Sequence, residues 1–371
     1  MLIGNKYNFK HFDITLFILT ILLMCTGVFV IYSASYNHKT GVSEYYYMKQ
    51  IYWIIAGLFT FLFFSLLNYK RLVNFAYLFY ILGVILLLFV LIKGQIGMGA
   101  QRWINIADFR LQPSEFFKIA WVLIIAVQFS DFDCNKLGFV QILKKSSVLV
   151  IPFILIFLQP DLGTATIFLA TWAIALLFRG IKKITFILLL AISLIAVPSI
   201  WFQLEDYQKD RVLTFLNPEK DPFGAGYHII QSKIAIGSGG FFGKGFLSGT
   251  QSHLNFLPEK HTDFVFSVLN EEFGFFGGML LILLFFTLLI RILQIASITR
   301  EITGKMICIA VASICFFQFF VNAAMTVGMM PVVGIPMPFI SYGGSSLITF
   351  TSMLGIVNSI ALNRFKNPGD L

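Results

Sequence analysis

The chain is a succession of long apolar runs separated by short polar connectors. A helix needs about 20 apolar residues to cross a ~30 Å hydrocarbon core, or somewhat fewer where flanking side chains snorkel. Ten runs meet that test, at 14–35, 49–67, 73–92, 114–129, 147–158, 162–178, 184–202, 264–290, 306–328 and 344–362. The pattern predicts an all-α polytopic membrane protein, one integral domain over residues 1–371. About ten transmembrane helices are expected, with a large extracytoplasmic loop, about 203–263, between the seventh and eighth. The first run, Ile14 to Tyr32, exceeds the apolar core of a signal peptide and is expected to remain as an anchor.

Composition agrees. Apolar residues make up 58% of the 371 and charged residues 12%, with a mean hydropathy of +0.84. A soluble domain averages roughly 45–50% and 25%, so water alone cannot be the solvent. Disordered, collagenous and disulfide-scaffold classes are excluded, and the segment 203–262 contains none of the four cysteines.

The net charge of +9 matters less than its placement. With an even number of spans both termini share a side, and that side carries 15 Lys and Arg against five in the short opposite loops. The bias places both termini in the cytoplasm and needs no nucleic-acid partner. Nine of the 18 acidic residues fall between Glu205 and Glu272, so the polar chemistry faces outward.

Two outward-facing segments repeat a pattern: Leu111-Gln112-Pro113-Ser114-Glu115 and Leu158-Gln159-Pro160-Asp161. Each is expected to open a helix, with Pro in the first turn and an acid complementing the dipole. Asp161 fits plain capping as well as function. Lys118 lies three residues after Glu115 on the same face, and two charges inside a span suggest a pair lining a cavity. In the eighth span Ser267, Asn270, Glu271 and Gly274 fall within about 80° of the line through Asp263 at 100° per residue. Thr262 is expected to cap that helix, and Glu272 to face packing or a partner helix. The glycine run Gly237 to Gly245 fails as a phosphate loop, because Ser238 and Gly245 stand where Gly and Ser or Thr are required. His228, His253 and His261 lack zinc-ligand spacing.

Six blocks in order then resemble the shape, elongation, division and sporulation family of bacterial membrane proteins, its elongation branch more than its division branch. They are Gly99-Ala100-Gln101-Arg102-Trp103-Ile104, Gln112-Pro113-Ser114-Glu115 with Lys118, Gln159-Pro160-Asp161-Leu162-Gly163, Gly224 to Ser232, Leu257 to Phe264, and Pro338 to Gly344. Gln101 departs from the basic or small residue usual in the family.

The resemblance implies a peptidoglycan glycosyltransferase that polymerises lipid II on the outer face of the cytoplasmic membrane during cell elongation and rod-shape maintenance. It implies Asp263 as general base, and Arg102, Glu115, Lys118, Asp161, Arg211, Gln231 and Ser341 as substrate-binding residues. A divalent cation such as Mg or Mn, held by Glu115 and Asp263, would assist. The implied partners are a class B penicillin-binding protein, a transpeptidase, and other elongation-complex membrane proteins. The chain itself has no SxxK with KTG nucleophile motif. The outer wall of spans eight and nine, with Gly277 and Gly278 among Phe275, Phe276, Phe316, Phe317, Phe319 and Phe320, is the expected docking surface. A lipid II flippase and a passive scaffold are the alternatives; a flippase would carry comparable polar cavities on both faces.

Overall fold

The computed structural model describes residues 11–37, 42–43, 45–97, 100–106, 109–130, 136–203, 206–220, 224–254, 256–257 and 259–363. Gly99, Pro258 and the topogenic Lys6, Lys10, Lys39, Arg364 and Lys366 lie outside the described residues.

Each expected span contains a helix. α1 (Ile14–Ala34) is followed by the two-residue strands β1 (Tyr36–Asn37) and β2 (Val42–Ser43), then α2 (Tyr46–Leu66). The short α3 (Tyr69–Asn74) leads into α4 (Ala76–Lys93). The glycine-rich outer segment folds into antiparallel strands β3 (Gln95–Gly97), β4 (Ala100–Ile106) and β5 (Phe109–Leu111). There follow α5 (Pro113–Phe129), α6 (Phe139–Leu158), α7 (Leu162–Arg179) and α8 (Lys183–Gln203). The long loop is mostly helical: α9 (Asp206–Leu216), a 3₁₀ turn (Pro218–Lys220), α10 (Ala225–Gly239) and α11 (Thr250–His253). The chain closes with α12 (Val265–Ile298), α13 (Ile302–Thr326) and α14 (Gly344–Asn363). Among the described residues eight helices are long and apolar enough to cross a membrane; α5, with 17 residues, and the apolar part of α8, Lys183–Ile195, are shorter.

α13 and α14 are almost wholly buried and form the centre of the bundle. Small residues permit close crossing. A side chain at Gly57 of α2 would strike Leu347 of α14, and one at Gly355 of α14 would strike the Phe61 carbonyl of α2. At one end Arg291 of α12 grips Asp13, the cap of α1, at 2.7 Å.

Three expectations are corrected. The fifth span is a full 20-residue helix, not 147–158, because Lys144 and Lys145 masked its first turns. Lys145 turns its ammonium onto the Gln128 carbonyl and so leaves the apolar surface. Pro160 precedes the helix instead of occupying its first turn, since Asp161 caps α7 by accepting from Thr164 N at 3.1 Å. The eighth span runs to Ile298 and is broken at Gly274, where φ is 65° and ψ −163°.

That break explains the glycine run. Residues 240–245 lie along the interrupted helix and satisfy its freed backbone groups. Lys244 N and Gly245 N donate to the Glu271 and Glu272 carbonyls, each at 3.0 Å. Phe275 N and Phe276 N donate to the Gly240 and Phe241 carbonyls at 2.9 and 3.2 Å. A Cβ at Gly243 would stand 2.0 Å from the Glu272 oxygen, so only glycine admits this backbone contact.

Candidate active site

Asp263 ends a tight turn, 259–263, in which the amides of Thr262, Asp263 and Phe264 all converge on the Glu259 carbonyl. Thr262 does not cap α12. Its hydroxyl donates to Glu259 Oε2 at 3.0 Å, inside the turn. Two other elements fix the turn. Asn322 of α13 donates to the Asp263 carbonyl at 3.0 Å and to the Ile335 carbonyl at 2.8 Å. Ser341 donates to the Thr262 carbonyl at 2.5 Å and accepts from Met337 N at 2.8 Å, while Tyr342 N donates to the His261 carbonyl at 2.9 Å. Ser341 is therefore a brace of the turn that carries Asp263.

The Asp263 carboxylate is half-buried: enclosed by protein yet touched by solvent. Gly334, at φ 69°, passes so close that a Cβ there would lie 3.5 Å from Asp263 Oδ2. Burial pushes this carboxyl up to about 6, the Glu259 carboxylate adds to the rise, and the Arg211 and Arg102 guanidinium groups oppose it. Two cations from distant parts of the chain, on β4 and α9, thus act electrostatically on one carboxylate at the start of α12. Arg102 also holds Asp161 at 3.6 Å and donates to the Pro160 carbonyl, and its Nε has no partner among the described residues. Asp161 is both cap and anchor for Arg102.

Glu115 and Lys118 form the expected pair, at 2.6 Å and both buried. Lys118 also donates to Gln318 Oε1 of α13 at 2.8 Å, and Gln318 Nε2 donates to the Pro336 carbonyl at 3.2 Å. Lys118 is fully buried within this network. Glu115 Oε2 has no partner among the described residues. Gln318 and Asn322, one helical turn apart on α13, hold the 335–336 backbone from below, and sequence reasoning missed both. Two amides at i and i+4 in an apolar span were the available signal. Among the described residues Gln231 is not joined to this network. It stands half-buried on α10 beside Ser232, which bonds Ser267 at 2.6 Å.

The polar stripe of the eighth span is otherwise structural. Ser267 meets Ser232, and Asn270 donates back to the Phe266 carbonyl at 2.7 Å. Glu271 is saturated by Lys244 Nζ, Gln251 N, Thr250 Oγ1 and Ser252 N at 2.8 to 3.2 Å. Glu272 is buried and accepts from Ser33 of α1, as expected of a packing contact. Among the described residues no three carboxylate, His or Cys side chains converge on a metal-sized site. The expected docking wall also changes. Gly278 is filled by Asn270, and Phe319 is buried and stacked on Phe285 at 4.1 Å, so these residues serve contacts within the chain.

The family model for FtsW, RodA and SpoVE, described as "Cell cycle protein", matches residues 13–366. The chain belongs to this family. Its relatives include the peptidoglycan glycosyltransferase MrdB of Escherichia coli K12, 40% identical with 97% of each chain covered. The peptidoglycan glycosyltransferase RodA of Treponema pallidum is 33% identical, covering 95% of this chain and 98% of that one. Among solved structures, a chain from a peptidoglycan synthase complex that coordinates polymerization and crosslinking superposes with a TM-score of 0.80. It is 30% identical and covers 96% of this chain and 99% of its own. The rod shape determining protein RodA of Thermus thermophilus gives 0.71 at 26% identity, covering 96% and 98%.

Proposed function

We propose that this chain is a peptidoglycan glycosyltransferase of the bacterial cytoplasmic membrane, both termini in the cytoplasm, polymerising lipid II at the outer surface for cell elongation. The observation that carries the reading is the half-buried Asp263, raised to about 6, facing Arg102 and Arg211. Full-length relatives named as peptidoglycan glycosyltransferases support it.

The reaction joins the 4-hydroxyl of one disaccharide unit to the anomeric carbon of another. The C–O bond to the polyprenyl diphosphate breaks, and its electron pair leaves with the diphosphate. Asp263 accepts the hydroxyl proton. A carboxyl near 6 is a stronger base than an ordinary aspartate and still ionised at neutral pH. Arg102 and Arg211 neutralise the departing charge, and the partnerless Arg102 Nε is one donor left for it. Asn322 holds the Asp263 backbone, and Gln318, fixed by Lys118 and Glu115, joins it in holding the 335–336 backbone. A divalent cation would be held by Asp263, with the second oxygen of Glu115 or the Glu259 carboxylate beside it, and would supply positive charge for the departing diphosphate.

The flippase alternative is weakened by where the charges lie: Lys118 is only five residues beyond Pro113, so the buried pair stays near the Asp263 end. A transpeptidase of the penicillin-binding class would cross-link the product, alongside other membrane proteins of the elongation complex. The synthase complex containing a similar chain supports that partnership. The test is purified chain with purified lipid II in vesicles, alone and with the transpeptidase. Glycan polymer is expected. Transbilayer movement of lipid II without polymer would overturn the reading in favour of a flippase.

A further inference from the structure

The loop that plugs the break in α12 presents two large side chains to the outside. Phe241 is 69% exposed and Phe242 83%, the most exposed pair of adjacent aromatics among the described residues. They are ordered all the same. Phe242 stacks on Phe276 with centroids 5.3 Å apart, and Phe241 meets Phe275 edge-on at 6.1 Å. Phe276 in turn heads the exposed apolar stripe of α12 that continues through Leu280, Leu283, Phe286, Ile290 and Leu293. The loop extends the lipid-facing wall of a spanning helix.

Two independent rulers fix its height. Asp13 and Arg291, paired at 2.7 Å, mark one end of the bundle. Along α1, Ser33 lies 20 residues from Asp13, about 30 Å at 1.5 Å per residue. Along α12, Glu272 lies 19 residues from Arg291, about 28 Å. Ser33 and Glu272 are hydrogen-bonded to each other, so the two rulers agree. The break and its loop sit one hydrocarbon thickness, ~30 Å, from the ion pair, at the opposite membrane boundary. Aromatic side chains gather at that level: Tyr32 packs against Tyr47 at 5.1 Å and stacks with Phe246 at 6.3 Å. Such girdles mark the polar–apolar boundary of a bilayer.

We propose that residues 240–246 form a membrane-interface anchor, with Phe241 and Phe242 inserted beneath the phospholipid headgroups on the Asp263 side. Broken backbone at this depth is tolerated only where its polar groups are satisfied, and the four cross-hydrogen bonds with α12 do that. The apolar rings are then free to face acyl chains, as in interfacial segments generally. The anchor ties α10 and the base of the long loop to the bilayer surface. This proposal requires the membrane span of α12 but not the polymerase activity.

The test is a probe at Phe242→Cys in full-length chain whose four native cysteines are replaced, reconstituted in phosphatidylethanolamine–phosphatidylglycerol vesicles. An environment-sensitive fluorophore there is read against probes at Leu280→Cys, a lipid reference, and Glu219→Cys, an aqueous one. Position 242 is exposed, so the substitution costs only the stack on Phe276, and the Leu280 probe reports that α12 is correctly inserted. Expected is quenching by shallow nitroxide lipids several-fold above that at Glu219, with little quenching by aqueous iodide. Iodide quenching equal to that at Glu219 would overturn the proposal. Shielding from both quenchers would overturn it too, by showing that a protein surface or a second copy covers the loop.

Discussion

Two carboxylates eight residues apart, Asp263 and Glu271, flank the first turns of α12 and live in opposite surroundings. Glu271 is completely buried and accepts four hydrogen bonds, from Lys244, Thr250 and two backbone amides. Asp263 is half-buried, and among the described residues no side chain hydrogen-bonds its carboxylate, although the charges of two guanidinium groups reach it. A saturated carboxylate has nothing left with which to do chemistry; it fastens a loop. A carboxylate held by its backbone alone, and raised by burial, keeps its oxygens for a substrate. Formal charge does not distinguish the two, whereas burial and the number of committed donors do.

That contrast breaks most sharply by substitution. Asp263→Asn should reduce polymerisation by ~10² or more, the usual worth of a general base, with folding intact. Glu271→Gln should instead lower the melting temperature and leave residual activity in proportion to folded protein. Thermal unfolding of both variants beside a lipid II polymerisation assay checks the pair, and the reverse assignment would collapse the contrast.

Next in size is the glycine plug that Glu271 supports. Gly243→Ala adds a methyl 2.0 Å from the Glu272 oxygen, at a φ of 80°. Strain at such a backbone position is worth ~1–3 kcal/mol before the clash is counted. Protease sensitivity of the 240–245 segment should rise, while Gly237→Ala, which meets nothing within 4 Å, should be silent.

A smaller effect sharpens the bracing role of the buried pair. Glu115→Ala and Lys118→Ala should each impair activity, and the double variant should do little further harm, with a coupling of ~0.5–3 kcal/mol. Strictly additive losses in a double-mutant cycle would show that the pair does not act as a unit.

The smallest concerns stability. The Asp263 carboxyl is raised in the folded state, from 3.8 to about 6, so ionising it opposes folding. Stability attributable to this group is lost as pH rises from about 4 through 6 and is constant above. Asp263→Asn should therefore gain melting temperature relative to the parent across that interval, a gain that scans at pH 4, 6 and 8 would reveal.

Much of this molecule was legible in its sequence, for physical reasons. Apolar length locates a spanning helix, so all ten segments are found in helices. The proximity of Glu115 to Lys118 follows from three residues on one helix. The union of Asp263 with Arg102 and Arg211 joins segments up to 161 residues apart, and only the recurring family blocks hinted at it. The break at Gly274 was invisible because a helical wheel assumes an uninterrupted helix, and nothing local distinguishes Gly274 from Gly277 or Gly278. For the same reason Glu271 looked like part of a substrate-facing stripe. Gln318 and Asn322 passed unnoticed because isolated amides in an apolar run read as packing until their partners, the loop backbone and Lys118, are seen.

The central claim is that Asp263 works as a base whose ionisation is set by its enclosure. The most direct measurement is kcat/KM for lipid II polymerisation against pH by the purified chain, taken at substrate well below KM. The account predicts an acid limb that falls tenfold per unit below about pH 6, with a plateau above it. A rate that stays flat down to pH 4.5, or an Asp263→Asn variant that retains the parent rate, would contradict it.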